Sequence, residues 1–134
     1  MSEENVEVGE SVRRLFAAFN KREWGAFPAE LDPELEYTPV EENILYRGPE
    51  AFVQYLKRWL EGWDTFSAEA EEVESTPAQD GALIAVRLGG IGKGSGVEIY
   101  DRFFWVYELR GGRLYRISEY TDRAEALKAA GLSA

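Results

Sequence analysis

With 134 residues, 45% of them apolar and four of them tryptophan, the chain has the material for one domain with a sizeable core and not for a disordered polymer. Its 15 basic and 25 acidic residues leave a net charge of −10, which repels phosphate backbones and anionic lipid, so neither a nucleic acid nor a membrane partner is expected. The absence of cysteine excludes disulfides, thiol nucleophiles and zinc–thiolate sites, and the absence of histidine removes the commonest general base and transition-metal ligand.

Along the chain, Val8, Val12, Leu15, Phe16 and Phe19 form a helical stripe over residues 5–20. Trp24–Leu31 reads as a short second helix, irregular at Pro28 and stopped by Asp32-Pro33. Leu35–Tyr37 is a short strand, and residues 38–47, with the acidic Glu41-Glu42, form a loop placed to cover a pocket mouth. Gly48-Pro49-Glu50 opens a strong amphipathic helix, with Phe52, Tyr55, Leu56, Trp59, Leu60 and Trp63 at i, i+3, i+4, i+7 spacing.

The second half of the chain is strand-rich. Thr65–Glu74 and Ala82–Leu88 are strands, the latter apolar on both faces except Arg87. Val97–Leu109, a turn at Arg110–Gly112 and Arg113–Asp122 form a long aromatic hairpin. A strand of that length must curve in so small a domain, which leaves a concave face for the helices to cover. Asp122 and Glu125 resemble a capping box for a short last helix that stops near Gly131. The run Gly89–Gly96 fits neither the P-loop nor the dinucleotide pattern and leads into a strand, so it reads as a flexible hairpin connection. One domain spanning residues 1–134 is expected.

Several stretches carry a family likeness. Val12-Arg-Arg-Leu-Phe-Ala-Ala-Phe-Asn20, Leu31-Asp-Pro-Glu-Leu-Glu36, Tyr46-Arg-Gly-Pro-Glu-Ala-Phe52, Gly112-Arg-Leu-Tyr-Arg-Ile117 and the ending from Glu119 to Gly131 resemble the SnoaL-like branch of the nuclear transport factor 2-like superfamily. The resemblance implies an α+β cone: a curved antiparallel sheet around a deep pocket, three helices from the N-terminal half over it, and a short C-terminal helix. It also implies kinship with polyketide cyclases, ketosteroid isomerases and epoxide hydrolases as well as with binding proteins, and fold does not settle among these. At the isomerases' tyrosine, general-base and second-acid positions stand Leu15, Tyr37 and Trp105, and the cyclases' histidine has no counterpart, so neither mechanism is copied.

Period-2 alternation places Asp101, Phe103, Trp105 and Tyr107 on one face of the long strand, and Ile117, Glu119 and Thr121 on one face of the last. The expected site is therefore two carboxyls, Asp101 and Glu119, with Tyr37 as hydrogen-bond donor and Arg87 as a counter-ion. Burial in such a setting raises a carboxyl pKa toward general acid/base use. Leu15, Phe19, Tyr55, Trp59 and Trp63 complete the expected lining. With no cofactor and no metal expected, this set admits three readings: an acid/base enzyme acting on a small apolar molecule, a non-catalytic binder of such a molecule, or a dimeric scaffold whose core is filled by large side chains such as Tyr37 and Trp105. The opposite sheet face, through Tyr100, Phe104 and Val106, is apolar enough to suggest a homodimer. The acidic start has no signal-peptide layout and no apolar run approaches a membrane span, so a cytoplasmic location is expected.

Overall fold

The computed structural model describes residues 3–39, 44–77 and 80–132. In chain order the elements are α1 (Glu3–Asn20), a 3-10 helix (Phe27–Glu30), β1 (Leu31–Thr38), β2 (Tyr46–Arg47), α2 (Pro49–Leu60), β3 (Trp63–Ser75), β4 (Gly81–Gly92), β5 (Glu98–Arg110), β6 (Arg113–Tyr120) and α3 (Arg123–Ala129). The strands form one sheet in the order β2-β1-β6-β5-β4-β3. Every neighbouring pair is antiparallel except β1 and β6, which run parallel. This is the expected α+β arrangement of a curved sheet with helices on its concave side.

Three elements depart from expectation, each for a local reason. Residues 27–30 form a 3-10 turn and not an α-helix, with Pro28 in the first turn, where its missing N–H is least costly. The stretch read as a loop contains β2, which pairs Tyr46 with Tyr37 and Arg47 with Glu36. Glu41 and Glu42 lie outside the described residues. Gly89–Gly92 belongs to β4 and not to the connection.

The apolar stripe of α1 is buried as its spacing requires, from Val8 and Val12 to Leu15, Phe16 and Phe19. Arg22, at φ 57, holds the left-handed conformation just past the end of α1. The chain there secures the exposed edge of β3. The Asn20 amide donates to the Ala68 carbonyl (2.8 Å) and accepts from the Ala68 N–H (2.9 Å), the pair of bonds a neighbouring strand would make. Arg22 Nη2 donates to the Phe66 carbonyl (2.7 Å). An edge strand is thus covered by side chains.

The outer sheet face is partly covered as well. The Asp122 side chain accepts from the Ala124 N–H and caps α3. Ala126 and Ala130 then pack with Leu83, Phe104 and Val106 in a small second core. The dimer expectation took that face as bare. Of its three residues only Tyr100 stays exposed, with the Arg87 guanidinium 4.0 Å from its ring centre. No described helix is long and apolar enough to cross a membrane.

Asp32, 6% exposed, ties β1 to the hairpin turn. Arg110 donates to it from Nε (3.0 Å) and Nη2 (2.8 Å), and the Glu34 N–H donates to Oδ1 (2.8 Å). The Arg110 hydrogen bonds, opposed by burial and helped by the Glu34 N–H, hold the Asp32 carboxyl below its usual range. A carboxyl depressed in the fold stabilises it above the unfolded-state pKa, and that contribution is lost as pH falls through the folded value. Asp32→Asn should therefore destabilise by a constant amount above about pH 5, with the gap to wild type closing below about pH 4. Urea midpoints of the two proteins at neutral and acid pH check this, and a gap independent of pH would refute it.

Candidate small-molecule site

A cavity of about 110 Å³ lies between the helices and the concave face of the sheet. Leu15, Phe16 and Phe19 reach it from α1, Phe27 from the 3-10 helix, and Phe52, Tyr55, Leu56 and Trp59 from α2. The sheet supplies Tyr37, Phe66, Ala68, Leu88, Phe103, Trp105, Tyr107, Ile117 and Glu119, with Pro39 just past β1. Strand alternation explains the set: Phe103, Trp105 and Tyr107 share one face of β5, and Trp105 pairs with Glu119 and Tyr107 with Ile117 across to β6. The volume is well below the ~300 Å³ of a drug-sized site and close to the ~150 Å³ cavity that takes benzene. The side chains at 37 and 105 narrow the pocket without filling it.

The polar centre includes a hydrogen bond between β1 and β6. Tyr37 Oη donates to Glu119 Oε2 at 2.8 Å, from a residue that is 4% exposed. Burial, then the negative charge of Glu119, and then contact with Tyr55 push the Tyr37 hydroxyl well above its ordinary value. Burial and Glu119 raise Tyr107 in the same way. Raised above the ordinary phenol value, both stay protonated at neutral pH and are donors there and not bases. The Trp105 indole nitrogen is buried with no hydrogen-bond partner among the described residues. It is closed off from solvent and so is a cost of placing a tryptophan here, about 1–3 kcal/mol, and not a contact offered to a ligand.

Ten of the expected site residues line this cavity: Leu15, Phe19, Tyr37, Tyr55, Trp59, Phe103, Trp105, Tyr107, Ile117 and Glu119. Four do not. Asp101 keeps the predicted parity but pairs with Leu88, the last lining residue of β4, and is exposed. No Asp101–Glu119 pair forms in the cavity. Arg87 is on the outer face, over Tyr100, and is no counter-ion to either carboxyl. Trp63 falls in β3 beyond the end of α2 and packs on Trp59 and Phe66 without reaching the cavity. Thr121 is exposed just past β6. The expected set left out Phe16, Phe27, Pro39, Phe52, Leu56, Phe66, Ala68 and Leu88. Phe16, Phe52 and Leu56 carried a signal, since each belongs to a helical stripe already visible in the sequence.

A curved sheet closed by helices over an internal cavity is the architecture of the nuclear transport factor 2-like cone. The model of the SnoaL-like domain matches residues 12–117, and the chain belongs to that family. No curated protein matches the sequence. Among solved structures, the chain is similar to a Catenulispora acidiphila protein with a ketosteroid isomerase-like fold, in complex with trimethylamine (18% identity, 92% of this chain and 93% of that one, TM-score 0.74). It is also similar to an NTF2-like protein of Burkholderia pseudomallei (16%, 97% and 98%, TM-score 0.73). An LEH-like epoxide hydrolase of M. tuberculosis is a third such structure (18%, 93% and 90%, TM-score 0.70). At these identities the likeness establishes the fold.

Proposed function

We propose that the cavity binds a compact, mostly apolar small molecule and that Glu119 is its polar handle and general base. The observation that carries this is the 2.8 Å Tyr37–Glu119 hydrogen bond at the wall of a cavity otherwise lined by rings and aliphatic groups. Tyr37 and Tyr107 are donors, which makes Glu119 the candidate proton acceptor. Tyr37 fixes one oxygen of the carboxyl at the cavity wall. A base so placed suits proton abstraction beside a polarising group, as in cofactor-free isomerisation or cyclisation, or activation of a water for hydrolysis. The small volume speaks against a polycyclic substrate and against a fully filled scaffold. The trimethylamine complex of a protein with this fold makes compact amines sensible members of a probe set.

The test is a panel of carbonyl compounds, epoxides and amines of about eight heavy atoms or fewer, followed by protein-observed NMR. At least one class should bind and perturb Tyr37. For a bound carbon acid in heavy water, Glu119→Gln should slow catalysed deuterium incorporation by about 10²–10⁴-fold. Binding with no catalysed exchange in the wild type would reduce the protein to a binding module. Binding by no member of the panel would refute the whole reading.

A further inference from the structure

We infer that the Tyr107 hydroxyl is the donor that selects the ligand, so that the cavity takes a compact molecule with an accepting oxygen, of the ketone or epoxide class, seated on that hydroxyl. This rests on the small-molecule reading above and narrows its ligand class.

An unspent donor is the first support. Tyr107 is 4% exposed, and among the described residues no hydrogen bond reaches its hydroxyl. The other donors of the lining are committed or closed. Tyr37 donates to Glu119, Tyr55 is in hydrogen-bond contact with Tyr37, and the Trp105 nitrogen is sealed into the packing. The Tyr107 hydroxyl is not sealed in that way, so it opens on the cavity its ring lines. A buried hydroxyl left without a partner is costly, and an accepting group on a ligand removes that cost. A pocket holding such a donor therefore discriminates against a molecule of the same shape with no acceptor.

Placement is the second support. The Tyr107 ring is held by Trp105, nearly parallel at 12° with ring centres 6.1 Å apart, and by Phe16 of α1 at 6.3 Å. A ring so packed aims its hydroxyl in one direction, and a donor fixed in advance loses little entropy when it binds. Tyr107 and Tyr37 flank Ile117 in one row across the sheet, since both pair with it, from β5 and from β1. Glu119 stands in the next row, paired with Trp105, close enough for its charge to act on Tyr107. A ligand oxygen on Tyr107 therefore brings the carbons beside it to the end of the cavity where the carboxyl stands. The rest of the occupant meets Leu15, Phe103 and the other apolar walls.

Two probes of one shape decide the matter: cyclopentanone, which carries an accepting oxygen, and methylenecyclopentane, which does not. Each is titrated by NMR into wild-type protein and Tyr107→Phe. The variant should bind cyclopentanone about threefold to tenfold more weakly and methylenecyclopentane within about twofold of wild type. The carbonyl carbon resonance of bound cyclopentanone should also move upfield in the variant, as it does when a ketone loses a hydrogen bond. Because the deleted hydroxyl bonds to nothing in the fold, the urea midpoint of Tyr107→Phe should equal or exceed that of wild type. A lower midpoint, or a variant that does not fold, would show the hydroxyl to be spent on the structure and would overturn the assignment. Equal effects on the two probes would overturn it too and leave the cavity as a small-molecule site. Binding of neither probe to the wild type would overturn both.

Discussion

Replacing Gly90 by alanine is expected to abolish soluble folded protein, and Gly89→Ala to do nearly the same. A Cβ on Gly90 would sit 2.0 Å from the Thr65 carbonyl oxygen and 2.6 Å from its carbon; on Gly89 it would sit 1.9 Å from the Ile99 oxygen. Both are backbone contacts, so no rotamer change relieves them. Gly90 pairs with Phe66 on one side and Ile99 on the other, and Gly89 with Ser67 and Tyr100. To admit a methyl group, β4 must part from one neighbour and give up ladder hydrogen bonds there. Both residues also hold positive φ, 158° and 154°, where side chains are rarely tolerated. The loss should reach the exceptional range of about 4–5 kcal/mol, a large share of the roughly 5–15 kcal/mol that holds a domain together. Gly94→Ala is the control: its φ is 73 but its added Cβ meets nothing within 4 Å, so only about 1–2 kcal/mol of backbone preference is at stake. Soluble yield and urea midpoints of the three variants rank them. A Gly90→Ala protein as stable as Gly94→Ala would refute the close approach of the strands.

The glycine pair marks where sequence reading runs out. A glycine needed for close approach inside a strand and a glycine needed in a turn look alike in sequence, and five glycines between 89 and 96 read more simply as a loop. Periodicity succeeded where the covering layer is continuous. The stripes of α1 and α2 and the alternation of β5 placed Leu15, Phe19, Tyr55, Trp59, Phe103, Trp105 and Tyr107 correctly around one cavity. It failed at the ends of elements. Alternation assigns Asp101 to a face but does not say where the helices stop covering that face. The helical stripe was carried one step too far to Trp63, and strand parity one step past β6 to Thr121. Arg87 lies in a strand apolar on both faces, so its side had no signal at all. Nor did the Asn20 clamp on Ala68, because a side chain mimicking a strand across 48 positions leaves no local pattern.

Phe27→Ala should carry the second largest penalty, about 3–5 kcal/mol, and should also change what the cavity accepts. Phe27 is 2% exposed and stands at the meeting point of three packing elements. Its ring centre lies 6.4 Å from Phe19 on α1, 6.1 Å from Phe52 on α2 and 5.8 Å, edge-on, from Trp24. The 3-10 turn that presents it has Pro28 fixing its backbone, so the site cannot collapse by sliding a flexible loop inward. Removing the ring therefore leaves a void continuous with the ligand cavity, and the lost contacts are not regained. Phe27→Leu keeps most of the volume and should lose clearly less. Urea denaturation at neutral pH gives the stability ranking. Ligand size gives the functional one: if the variant folds, the enlarged cavity should shift preference toward the larger members of the carbonyl, epoxide and amine panel relative to wild type. A Phe27→Ala protein that loses stability without relaxing that size preference would place the ring in the core alone and remove it from the wall of the site.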